Sequence, residues 1–63
     1  MMKLILRDKE WQVPHGMTLR DAILKVGLDP ESILTLRDGK LVSEETLGAD
    51  GDVIQLVSVI SGG

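Results

Sequence analysis

Residues 53–63 read Val-Ile-Gln-Leu-Val-Ser-Val-Ile-Ser-Gly-Gly, the longest β-branched run in the chain followed by a pair of glycines. Alternation places Ile54 and Leu56 on one face and Val53, Gln55 and Val57 on the other, the period of a strand. Because β-branched residues suit a pleated surface packed on its neighbours, Val53 to Val59 predicts a central strand. Its partners must come from earlier in the chain.

Upstream, Ser43 to Asp52 is acidic and glycine-containing. It reads as a surface loop pinned at its single strong apolar residue, Leu47. Before it, Asp38-Gly39 separates the strand-like segments Ile33–Arg37 and Lys40–Val42, and both central positions of a type I′ turn require positive φ, so a tight hairpin is predicted. Thr18 with Asp21 three residues on is a variant capping box, in which the hydroxyl accepts from a free backbone N–H and the acid sits in the positive first turn. Leu19, Ala22, Ile23 and Val26 then recur at helical spacing while Arg20, Asp21 and Lys25 face water. Gly27 ends this helix of about ten residues and Pro30 prevents its resumption. At the start, Met2 to Arg7 puts Leu4 and Leu6 on one side and Lys3, Ile5 and Arg7 on the other. A polar turn at Asp8-Lys9 leads to Glu10–Val13, which Pro14 closes. The order β-β-α-β-β-β predicts an α+β roll, a mixed sheet of four to five strands covering one helix. Leu4, Leu6, Val13, Leu19, Ile23, Val26, Ile54 and Leu56 suffice as its core.

Composition narrows the function. Sixty-three residues carry ten acids against seven bases, a net charge of -3, and no cysteine. A domain of about 60 residues buries only roughly 60% of its unfolded surface, which leaves no room for a deep catalytic cleft. Without cysteine there is neither a disulfide framework nor a thiolate metal site. An acidic chain whose one aromatic residue is Trp11 lacks the basic, aromatic surface of a nucleic-acid binder. No apolar run approaches the ~18 residues of a membrane span, and Met1-Met2-Lys3 leads into a strand instead of a signal peptide. A cytoplasmic protein, monomeric when free, with no direct nucleic-acid or membrane partner is expected.

The β-hairpin, the single helix, the second hairpin at Asp38-Gly39-Lys40, the acidic turn at Gly51-Asp52 and a last strand running into Gly62-Gly63 together resemble the ubiquitin-like β-grasp proteins. The length and the ending Val-Ser-Val-Ile-Ser-Gly-Gly are similar to those of the prokaryotic sulfur carriers, which serve thiamine, molybdopterin and tRNA 2-thiouridine synthesis. The resemblance covers the whole chain and implies a β-grasp domain over residues 1–60 with a flexible tail at 61–63. The short form is closer to the thiamine and tRNA carriers than to the longer molybdopterin synthase subunits. By this resemblance the α-carboxylate of Gly63 is adenylated by an ATP-dependent, E1-like activating enzyme and converted to a thiocarboxylate. Ile60, Ser61 and Gly62 form the thin approach to it, and two residues without Cβ pass where a side chain would clash, over about 7 Å of extended chain. The protein would then be a co-substrate and not an enzyme. It would bind no cofactor stably, because ATP and magnesium belong to the activating enzyme. The implied partners are that enzyme, a sulfur donor of the cysteine desulfurase or rhodanese type, and a sulfur-accepting thiazole synthase, tRNA thiolase or molybdopterin synthase large subunit. Two other readings remain open here. Gly63 could form an isopeptide bond to a target lysine, as in a protein modifier, or the chain could be a β-grasp binding module with an inert, frayed end.

A docking surface is expected on the sheet face away from the helix. Propensity alone would bury Leu34 and Leu36, whereas alignment to the β-grasp pattern buries Ile33 and Thr35; we take the second. It leaves Leu34 and Leu36 beside Val57 and Val59 as an apolar partner-binding patch. Trp11 alternates with Val13 toward the core and is expected to be partly buried. His15, beside Gly16, reads as a turn residue, with no second ligand or acid cluster for metal or base chemistry. Glu44, Glu45, Asp50 and Asp52 lack calcium-loop spacing and read as a solvated face that steers basic partners.

Overall fold

The computed structural model describes residues 1–59. Five strands, β1 (Met2–Leu6), β2 (Lys9–Val13), β3 (Ile33–Arg37), β4 (Lys40–Val42) and β5 (Val53–Ser58), form one sheet, with α1 (Leu19–Lys25) and a short 3₁₀ turn at Pro30–Ser32 between β2 and β3. The order across the sheet is β2-β1-β5-β3-β4. The expected central strand β5 lies parallel to β1, with Leu4 beside Ile54, and antiparallel to β3, with Thr35 beside Leu56.

One face of the sheet and the apolar stripe of α1 enclose the core. Leu4, Val13, Leu19, Ile23, Ile54 and Leu56 are buried as expected, and Met2 and Ala22 complete the set, while Leu6 and Val26 are only half-buried against it. Full burial of each large aliphatic side chain contributes about 1.5–3 kcal/mol, the main stabilising contribution in so small a domain. Trp11 is half-buried and packs on this cluster.

Local chemistry ends each element. The Thr18 hydroxyl accepts from Asp21 N–H at 3.1 Å, the expected cap. At the other end, Gly27 N–H donates to Leu24 C=O and Leu28 N–H to Ile23 C=O, both at 3.0 Å, with Gly27 at φ +85°. This is a Schellman motif, and it stops α1 after seven residues, shorter than the ten expected, because Val26 already serves as the C-cap. Asp38 and Gly39 hold φ +54° and +77°, as the I′ turn demands. The first hairpin turns one residue earlier than expected: Leu6 pairs with Lys9, so the turn is Arg7-Asp8 and Arg7 sits at φ +58°.

The Ser43–Asp52 loop is held differently from the expectation. Leu47 is 61% exposed and anchors nothing by burial. The loop is tied instead by main-chain bonds: Gly16 N–H to Gly48 C=O at 2.8 Å, Gly48 N–H to Met17 C=O at 2.9 Å, and Leu19 N–H to Thr46 C=O at 2.9 Å. Gly48 itself is buried, and a Cβ there would clash with Met2 Sδ. The loop ends on Asp52, whose carboxylate accepts from Ala49 N–H at 2.9 Å and from Arg37 Nη1 at 3.0 Å.

Two outcomes follow from this packing. Gly48→Ala forces the buried Met2 thioether out of place, and chemical denaturation should show a loss of about 1–3 kcal/mol, partly recovered when Met2 is shortened to Val. The Ala49 N–H, then Arg37, hold the Asp52 carboxyl below the usual aspartate range. A depressed carboxyl pKa stabilises the fold above the unfolded-state value and loses that contribution as pH falls through the folded value. Melting temperature followed downward from about pH 6 should therefore drop below about pH 4 more steeply in the wild type than in Asp52→Asn.

Candidate docking face and tail root

The register of β3 decides what the outer face of the sheet presents. Leu34 pairs with Val57 and Leu36 with Gln55, while Thr35 is 3% exposed against 41% for Leu34. Thr35 can be buried because its hydroxyl donates to Val42 C=O at 2.8 Å, so no polar atom is stranded. Ile33 is half-buried against the core and Leu36 half-buried on the outer face. Leu34, Leu36 and Val57 thus share the outer face, and Val59, also exposed, follows just past the end of β5.

One member of this face escaped the sequence reading. Leu41, on β4, pairs directly with Leu36 and is 65% exposed, extending the patch to the sheet edge. The signal was present in the two-residue turn: a hairpin closed at Asp38-Gly39 must set Arg37 opposite Lys40 and Leu36 opposite Leu41.

The tail begins where β5 ends. Val59 N–H donates to Ser32 C=O at 2.8 Å, which ties the end of the strand to the 3₁₀ turn. The tail positions Ile60, Ser61, Gly62 and Gly63, and with them the 60/61 boundary, lie outside the described residues.

Of the acids read as a solvated steering face, Glu45 and Asp50 are exposed, Glu44 is half-buried and Asp52 is largely covered, and three of them have partners within the chain. Glu44 accepts from Arg20 at 3.1 Å, Asp52 from Arg37, and Asp50 faces the Met1 amine, whose hydrogen bond is the foremost reason its carboxyl titrates low. His15 is exposed, with Nδ1 3.6 Å from Asp50 Oδ1. Among the described residues no three His, Asp or Glu side chains stand close enough to hold a metal, and no helix is long and apolar enough to cross a membrane.

Residues 2–63 match the family model of the ThiS family. The chain belongs to the ThiS family. It is 32% identical over 65 residues to the sulfur carrier protein TtuB of Thermus thermophilus, a match that covers 98% of this chain and all of the relative. Its fold is similar to that of SAMP1 from Haloferax volcanii, with a TM-score of 0.63, 24% identity and 98% of each chain covered. A ubiquitin-like protein from the archaeon Caldiarchaeum subterraneum aligns with a TM-score of 0.52 and 24% identity, over 90% of this chain and 92% of that one. The architecture is therefore the ubiquitin-like β-grasp.

The two faces of β3 and β5 should respond oppositely to charge. Leu36→Asp loses only outer-face pairing, at a cost of about 1 kcal/mol or less, and should keep the wild-type circular dichroism spectrum. Leu56→Asp buries an unpaired carboxylate against a fold worth about 3–5 kcal/mol and should leave the chain unfolded.

Proposed function

We propose that this protein is a cytoplasmic sulfur carrier, a co-substrate whose Gly63 carboxylate is activated by an E1-like enzyme and then holds sulfur as a thiocarboxylate. The observation that carries this reading is the ThiS family match, which runs through Gly62 and Gly63. The similarity to a sulfur carrier over 98% of the chain supports it.

The chemistry needs nothing from the folded domain except presentation. A carboxylate is a poor acyl donor because its leaving group would be oxide. Attack of the Gly63 carboxylate on the α-phosphorus of ATP expels pyrophosphate and leaves an acyl adenylate, from which a sulfur nucleophile displaces AMP. Hydrosulfide gives the thiocarboxylate directly; an enzyme persulfide gives an acyl disulfide, whose S–S bond is then reduced by a thiol. ATP, magnesium and the sulfur donor, a cysteine desulfurase or rhodanese, act on the partner's side. Leu34, Leu36, Leu41, Val57 and Val59 are the surface on which such an enzyme docks, since an exposed apolar patch on a small domain marks a contact site. The thiocarboxylate is then consumed by a thiazole synthase, a tRNA thiolase or a molybdopterin synthase large subunit, and the carrier returns unchanged.

Incubation with the adenylating enzyme of the same organism, ATP and a sulfur source, followed by intact-mass measurement, should show the gain expected for replacing one oxygen by sulfur. Deletion of Gly62 and Gly63 should abolish it, and Leu36→Asp should reduce it at least tenfold while leaving the fold intact. Larger species linked to lysine, with no mass gain on the free protein, would overturn the carrier reading in favour of a modifier.

A further inference from the structure

A second surface lies beside the root of the tail. The β1–β2 turn and the end of β5 enclose a groove of about 320 Å³ lined by Leu6, Arg7, Asp8, Lys9 and Ser58. It is distinct from the outer apolar face, because Leu6 belongs to the side of β1 that packs on the core. We propose that this groove receives carboxylate side chains of the enzyme that takes up the tail, with Arg7 and Lys9 as the docking residues; the proposal rests on the carrier reading above.

Three observations converge on it. Lys3, Arg20 and Arg37 pair with carboxylates, whereas among the described residues Arg7, Lys9, Lys25 and Lys40 have none within ion-pair distance, and of these four only Arg7 and Lys9 line this groove. With Asp8 as the one acid in the groove, the tail root is locally positive on a chain whose net charge is -3. Arg7 also holds φ +58°, a conformation that favours glycine because any Cβ there crowds the backbone. A strained arginine at a tight turn does nothing for the hairpin that glycine would not do better, so its guanidinium has to gain elsewhere. Finally, Gly63 is five residue steps beyond Ser58, at most about 18 Å of extended chain. When the carboxyl end is held by an enzyme, the groove therefore lies within that distance of the reacting atom and faces the same enzyme. Protein carboxylates are the anions to be met there, and a guanidinium with an ammonium beside it is the matching donor set.

The test is ATP–pyrophosphate exchange by the adenylating enzyme of the same organism, with the carrier as varied substrate. Arg7→Glu combined with Lys9→Glu should raise KM for the carrier at least about tenfold and leave kcat within about twofold, because docking changes and chemistry does not. Arg7→Gly removes the cation and the strain together. It should melt no lower than the wild type and still raise KM several-fold, which separates docking from folding. Lys25→Glu on α1, an exposed cation away from the groove, should move KM less than twofold. Raising salt from about 50 to about 300 mM should raise the wild-type KM more steeply than that of the double variant. An unchanged KM in the folded double variant, or an equal rise in Lys25→Glu, would overturn the proposal while the carrier reading stands. If the wild type supports no exchange at all, both fall.

Discussion

The rest of the structure depends on the parallel pairing of β1 with β5. Lys3 sits beside Val53 and Leu4 beside Ile54, and Lys3 N–H donates to Asp52 C=O at 2.8 Å where the pair begins. Parallel strands cannot be joined by a hairpin, so everything from Arg7 to Asp52 is, in effect, one long crossover. The pairing places the start of β1 against the loop that enters β5, where Met2 fills the space left by Gly48. It also places the β1–β2 turn at the same end of the sheet as the end of β5. Arg7 and Lys9 stand beside Ser58 for that reason alone.

Much of this was legible in the order of residues, because period-2 and period-3.6 patterns report burial directly. The helix stripe, the Thr18 cap, the Gly27 stop and the Asp38-Gly39 turn all act within a few residues of themselves. The places where the reading fell short share a cause, which is that main-chain geometry leaves no apolar signature. Leu47 looked like the anchor of its loop, yet the loop is tied by the backbone of Thr46 and Gly48, the latter chosen for its lack of a side chain. The first turn fell one residue early because Arg7 accepts a positive φ that its type disfavours.

The candidate docking face was legible only in part. Two registers of β3 are equally apolar on paper, and propensity prefers the wrong one, since leucine outranks threonine as a core residue. The choice is settled by a hydrogen bond from Thr35 to the neighbouring strand, a contact seven residues away in sequence. Leu41 follows from that register, as the residue opposite Leu36. The Arg7–Lys9 groove could not be read at all, because its second wall is Ser58 and the pairing that brings it there spans nearly the whole chain.

Strand β5 serves three ends at once: Ile54 and Leu56 in the core, Val57 on the outer face, and the departure of the tail after Val59. Side chains alternate with a period of two, so a slip of one residue would exchange core and docking face and shorten or lengthen the tail by one residue. The reach of the carboxyl end and the identity of the surface that positions it are therefore not independent properties. On the proposed reading the reactive atom is the end of the main chain, and such a carrier has no active-site side chains to preorganise. It controls geometry by holding the last strand rigidly between two neighbours, so that an enzyme gripping the sheet also sets how far the chain end can extend.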